Sequence, residues 1–330
     1  MKIGIPRSLL YYYYYPLWKT YFEELGIEVV STPATSKKII DMGIKHSVPE
    51  LCVPIKIYIG HLLKLIEDGV DYIYVPRFVS ILKGQYFCPK FMGLPDMIRH
   101  SFEGIEDKMI IPTIESKNEN IAEYKNFKIF EEKLGISTKA NKKAIAKARR
   151  VWESFKNYCH LGYSANEASD LALGKIIETG TLPAKASVTI GVVGYVYNLY
   201  DSYISMDIIK KLREMDVSVK TFEMIKEDVL NQKLQNMSKN LFWTFSDKLI
   251  AAGYTFYDDA NIDGLIHVTA FGCGPDSMLG KLLELDSPVY EKPFMTIRVD
   301  EHSGENHLQT RIEAFVDMIK RKKIKARRGA

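Results

Sequence analysis

Short apolar runs and longer stretches of helical spacing alternate along the first third of the chain. Lys2–Pro6 (KIGIP) reads as a strand, Leu9 to Glu24 as a helix, and Ile27–Val30 as a second strand. Val53–Glu67 carries apolar residues at helical spacing, Asp71–Pro76 (DYIYVP) reads as a buried strand, and Met109–Pro112 as another. Strand signals then vanish between Asn118 and Ala186, where Glu131–Tyr158 is rich in Lys, Ala and Glu, with Ile145, Val151, Trp152 and Phe155 placed as on helices. Alternation resumes at Ser187: strands at Val188–Val193, Val217–Phe222, Asp263–Thr269 and Pro293–Val299, and helices at Asp201–Met215, Pro275–Leu285 and Gln309–Lys322.

Strands separated by helix-length segments predict parallel sheets with crossover helices. The expected architecture is therefore α/β: two Rossmann-like lobes with parallel sheets, residues 1–117 and 187–330, joined by a helical connector over 118–186. A faint internal repeat supports two related lobes. KIGIP with its tyrosine-rich helix corresponds to TIGVV with Tyr195–Tyr203, and DYIYVP followed by Cys88 and Pro95-Asp96-Met97 corresponds to DGLIHV followed by Cys273 and Pro275-Asp276-Ser277-Met278. The correspondence puts both cysteines beyond the carboxyl ends of equivalent strands, where open α/β sheets bind ligands.

Composition narrows the function classes. With 46% hydrophobic and 26% charged residues in 330, the chain has the balance of a globular protein long enough for two domains. Its net charge is only +4, and much of that lies in the Lys320–Arg328 tail, so no basic face interleaved with aromatics speaks for nucleic acid. No run approaches the roughly 18–20 apolar residues of a membrane span, and the first residues lack the layout of a signal peptide. Four scattered cysteines make no disulfide framework, which predicts a reducing, cytoplasmic setting.

Three of the four cysteines share a local pattern. Cys52 stands in Cys-Val-Pro, Cys88 in Cys-Pro-Lys and Cys273 in Cys-Gly-Pro, each followed closely by a helical pattern. Proline is favoured at the start of a helix, where its missing N–H has no intrahelical partner anyway. Each sulfur is therefore expected near a helix N-terminus, where the dipole and free N–H groups favour the metal-binding thiolate. Cys159, in FKNYCHL, lacks the following proline and reads as core packing. Spacing alone does not name the metal. Zinc, with His46, His61 or His267 as a fourth ligand, is one reading, and an iron–sulfur cluster is the other. No G-x-G-x-x-G follows either lobe's first strand and no G-x-x-x-x-G-K-[ST] occurs, which speaks against a nicotinamide dehydrogenase or a self-contained ATPase.

Longer motifs carry a family resemblance. The stretches IGIPRSLLYYYYYPLWKTYFEELG, ELCVPIKIYIGH, YVPRFVS, YFCPKFMGLPDMIR, AFGCGPDSM and DEHSGEN followed by RIEAFVDM resemble the 2-hydroxyacyl-CoA dehydratase and benzoyl-CoA reductase superfamily, above all its small CoA-activase-related branch. The resemblance implies a [4Fe–4S] cluster held by Cys52, Cys88 and Cys273, which leaves one iron without a cysteine. It also implies a separate ATP-hydrolysing activator iron–sulfur protein as electron donor, an acyl-CoA or other small molecule as ligand of the open iron, and a homodimer. Two roles follow: a lyase or reductase of dehydratase type, or a non-catalytic electron-transfer or cluster-carrier partner. The chain is shorter than a typical catalytic subunit of that superfamily.

Around such a cluster, Arg77 and Lys90 are candidates to balance its negative charge or meet a CoA phosphate. His302 and Glu305, in the DEHSGEN loop after the last strand, are candidate acid–base groups, with helix capping by Asp300, Ser303 and Glu305 as the other reading. The five consecutive tyrosines Tyr11–Tyr15 must point all round a helix and are expected mostly to pack.

Overall fold

A computed structural model describes residues 1–176, 186–237, 240–301 and 305–328. The chain divides into two compact units. The first comprises Met1–Tyr158, Ala165–Ile176 and Phe242–Thr244; the second comprises Cys159–Ser164, Ile177–Leu241 and Phe245–Ala330.

In the first unit, β1 (Lys2–Ile5), β2 (Glu28–Ser31), β3 (Tyr72–Tyr74) and β5 (Met109–Ile110) form a parallel sheet in the order β2-β1-β3-β5. A small parallel pair, β4 (Arg77–Ser80) with β6 (Thr113–Glu115), continues two of these strands. Proline makes the breaks: Pro76 and Pro112 have no N–H to give a ladder, so DYIYVPRFVS and MIIPTIE each become two short strands. The chain bridges the gap through Val75, whose N–H donates to the Ile110 carbonyl at 3.0 Å, and Arg77, whose N–H donates to that of Pro112 at 2.9 Å.

Two helices matter for the site. α1 (Tyr11–Glu24) buries Tyr12, Tyr13 and Tyr14, while Tyr11 stacks on Tyr15 with ring centres 4.2 Å apart. Tyr14 stacks on Phe78 and meets Trp152, and Tyr13 meets Phe155, so the long helix Thr138–His160 packs onto α1 by aromatic contact. The tyrosine run is mainly packing. α2 (Lys37–Lys45), which the hydrophobic pattern did not predict, opens on Ser36, whose side chain accepts the Ile39 N–H. It lies directly against α3 (Val53–Glu67), the helix that begins at Cys52.

The second unit holds β7 (Val188–Val193), β8 (Val217–Lys220), β9 (Gly264–Ala270) and β10 (Phe294–Val299), all parallel, in the order β10-β9-β7-β8. Read from β8, this is the strand order of the first sheet, so the sequence repeat is also a repeat of topology. In both sheets the switch point lies between the first and third strands, and ligand sites of such sheets open at the carboxyl ends there. The predicted helix Asp201–Met215 is in fact two, Ser202–Ser205 and Ile208–Glu214, because Met206 and Asp207 take left-handed backbone angles (φ 49° and 56°). Among the described residues no helix is long and apolar enough to cross a membrane.

Candidate functional site

Each of the three proline-flanked cysteines is the residue on which a helix starts. Cys52 has extended angles (φ −67°, ψ 150°) and accepts the Ile55 N–H on its carbonyl at 3.0 Å, with Pro54 in the first turn of α3. Cys88 (φ −58°, ψ 148°) opens α4 (Pro89–Met92), which Gly93 joins to α5 (Leu94–Ser101). Cys273 (φ −86°, ψ 103°) opens the helix Gly274–Asp286 just past the end of β9, and its carbonyl accepts both the N–H (3.0 Å) and the hydroxyl (2.7 Å) of Ser277. All three are half-buried and none of the four cysteines forms a disulfide. Cys159 differs as expected: it lies in the last turn of Thr138–His160, 1% exposed, and burial pushes its thiol pKa well up.

Within the first unit two of the thiols share one electrostatic neighbourhood. Burial raises the Cys88 pKa, and the nearby Cys52 thiol raises it further; the N–H groups of Lys90 and Phe91 on the sulfur and the Lys90 ammonium act in the opposite sense. The net shift is upward, so here burial outweighs the helix N-terminus. A bound metal ion would offset this by favouring the thiolate form of its ligands. Lys90 also donates to the Glu50 carbonyl at 3.5 Å, tying α4 to the turn that leads into Cys52.

Arg77 has a definite task. Its guanidinium grips both oxygens of Asp96 on α5 (2.6 and 3.0 Å) and donates to the Met92 carbonyl at the end of α4 (2.6 Å). It thus fastens the Cys88 turn to β4, and the pair with Asp96 keeps the carboxyl pKa low.

The histidines weighed as zinc ligands are engaged elsewhere. His61 is buried between the hydroxyls of Thr32 (2.6 Å) and Thr35 (2.9 Å), His46 Nδ1 lies 2.9 Å from the Met42 carbonyl, and His267 pairs with Asp276. Among the described residues no group of three or more His, Cys, Asp or Glu could hold a metal ion, so the cysteines are not gathered into a visible metal or cluster site. His302 lies outside the described residues; Glu305 begins the final helix, and its side chain lies outside them too.

His61 carries a pH prediction. Burial, reinforced by the Arg7 charge, lowers its pKa to about 3, against about 6.5 in an unfolded chain. The unfolded state therefore takes up a proton that the folded state refuses. This contribution is fully present above about pH 6.5 and falls by about 1.4 kcal/mol per pH unit as the pH drops toward 3. Denaturant unfolding between pH 7 and 4 should show a slope steeper by about one proton in the native protein than in His61→Gln; equal slopes would refute the assignment.

A small apolar crevice of about 20 Å3, room for little more than a water molecule, lies between the ends of β1 and β3, lined by Ile5, Ser8, Trp18, Tyr74, Phe78 and Phe91 among others. Trp18 Nε1 and Tyr74 Oη are buried at its wall without a hydrogen-bond partner. The hydrophobic pattern did not single these two out; Tyr74, at the carboxyl end of a strand beside the switch point, carried the only signal.

The fold and these cysteine turns define an α/β protein with two four-stranded parallel sheets and two neighbouring thiols in its first unit. A sequence profile of the CoA enzyme activase uncharacterised domain (DUF2229) matches residues 2–225, so the chain belongs to that family. The match takes in Cys52, Cys88, Arg77 and Lys90 and ends before Cys273. No curated protein matches the chain significantly.

Proposed function

We propose that this protein holds a [4Fe–4S] cluster through Cys52, Cys88 and Cys273, and that it receives electrons from a separate ATP-hydrolysing activator that carries its own cluster. The observation that carries this reading is the Cys52–Cys88 pair, two half-buried thiols at two helix starts with the Lys90 ammonium beside them. Cys273 supports it by repeating the same local build at the carboxyl end of the equivalent strand. The family's link to CoA enzyme activases supplies the context, and kinship with the 2-hydroxyacyl-CoA dehydratases and benzoyl-CoA reductases is part of the proposal.

Bound there, such a cluster supplies electron transfer, and Lewis acidity at an iron without a cysteine. The chain's own groups then do the rest. The Lys90 and Phe91 N–H groups stabilise the Cys88 thiolate, and the Lys90 ammonium offsets local negative charge. His302 and Glu305 are proposed as acid–base groups for a small-molecule ligand such as an acyl-CoA thioester. One observation favours the carrier role instead: Arg77 is already spent on Asp96 and does not stand ready for a CoA phosphate.

Anaerobic purification and reconstitution followed by metal analysis tests the reading. The expected product is brown, with about four irons and matching sulfide per chain. A colourless protein with stoichiometric zinc would overturn it. Adding acyl-CoA thioesters to the reduced protein should perturb its EPR signal if the protein is an enzyme; an unchanged signal with every thioester assigns it the carrier role.

A further inference from the structure

The second unit contains a buried His–Asp pair that the proposed function leaves unused. His267, in the middle of β9, is 1% exposed, and Asp276, in the first turn of the Cys273 helix, is fully buried. Their contact is His267 Nε2 to Asp276 Oδ1 at 2.9 Å, while His267 Nδ1 and Asp276 Oδ2 have no partner. A half-satisfied buried pair is costly to keep, and simple packing would be served better by apolar residues. Its retention therefore asks for a positional reason.

The helix supplies one. Asp276 and Gly280 stand four residues apart, on one face. The Asp276 carboxylate meets one edge of the imidazole, and the missing side chain of Gly280 leaves room for the other edge: a Cβ there would stand 2.5 Å from both Nδ1 and Cε1 of His267. His267 is thus clamped between the first and second turns of the helix that Cys273 opens. Sliding or rotating that helix would break the hydrogen bond and drive residue 280 into the ring. The first unit uses the same kind of device, since Arg77 holds Asp96 and the Met92 carbonyl behind Cys88.

We infer that His267 is the positioning residue for Cys273, setting the rotation and register of its helix through Asp276 and Gly280. That the Cys273 thiol has a task rests on the proposed function, but its placement can be read without any metal.

The test is the alkylation rate of each cysteine by iodoacetamide in reduced, metal-free protein, resolved by peptide mass spectrometry. His267→Phe keeps ring bulk but removes the donor, leaving the Asp276 carboxylate buried alone. It should raise the Cys273 rate about tenfold or more by local opening, with Cys52 and Cys88 changed less than about twofold. His267→Gln places an amide N–H near the position of Nε2 and should hold the Cys273 rate within about threefold of native. Gly280→Ala should reproduce the His267→Phe effect through the ring clash, and it decides the matter if circular dichroism shows His267→Phe unfolded. A Cys273 rate unmoved by these variants, a rise shared equally by Cys52 and Cys88, or a Gln variant as loose as the Phe variant would each overturn the inference. Loss of iron binding in native protein would not, because no arm of this test contains iron.

Discussion

Reconstituted Cys52→Ser, Cys88→Ser and Cys273→Ser proteins are each expected to lose most of their iron, with affinity down about tenfold or more, whereas Cys159→Ser should keep its full complement. The reason lies in ligand chemistry and placement together. Iron in such clusters is bound by soft thiolate, and a serine hydroxyl at the same place is a far poorer anion and a harder ligand. With three cysteines proposed, the loss of one leaves two. Cys159 has the same chemistry but sits 1% exposed in the last turn of a helix, with burial holding its thiol protonated. Its replacement should cost about 1–3 kcal/mol of stability through an unpaired hydroxyl, and no iron. Iron per chain after anaerobic desalting reads the result directly. If Cys159→Ser bleached the protein, or Cys273→Ser stayed brown, the assignment of ligands would fail.

The largest effect on stability is expected at the contact between α2 and α3. A Cβ on Gly43 would stand 1.8 Å from the Lys56 carbonyl oxygen, and one on Gly60 would stand 2.0 Å from that of Ile39. Both obstacles are backbone atoms that cannot rotate aside, so the helices themselves would have to part. Alanine gains about 1 kcal/mol over glycine in helix propensity. Overpacking costs about 3 kcal/mol when only side chains and small shifts absorb it, and more here. The clash therefore wins, and Gly43→Ala and Gly60→Ala should each lose about 2 kcal/mol or more of unfolding free energy by denaturant titration. Gly274→Ala is the control, because nothing lies within 4 Å of its Cβ position; it should stay within about 0.5 kcal/mol of native. Values near native for both α2–α3 variants would contradict the close helix contact. Since α3 begins at Cys52, the same variants should also weaken iron retention.

Much of the local plan was legible in the residues. Apolar runs placed the strands of both sheets to within a few positions, and Val53–Glu67 and Val188–Val193 match their predicted bounds. Proline after cysteine marked three helix starts, because proline's fixed φ and absent N–H suit the first turn of a helix. The same residue also hid something: Pro76 and Pro112 looked like strand ends, yet the chain continues beyond each as β4 and β6, since a missing N–H breaks a ladder without turning the backbone. α2 was overlooked because its glycine at position 43, which reads locally as a helix weakness, is there for a neighbour 13 residues on.

The sequence by itself therefore determined the alternation of elements and the helix-start character of Cys52, Cys88 and Cys273, which depend on residues adjacent in the chain, and it showed a faint repeat whose common strand order only the structure revealed. Only the tertiary structure decided that Arg77 belongs to Asp96, that His267 is held by Asp276 and Gly280, that Cys52 lies close enough to act on Cys88, and that Trp18 and Tyr74 face one crevice. The physical reason is separation. A cap or a strand is set by torsions and hydrogen bonds a few residues long, whereas these pairings join residues 9 to 56 positions apart, and only the sheet order and helix packing bring such residues together.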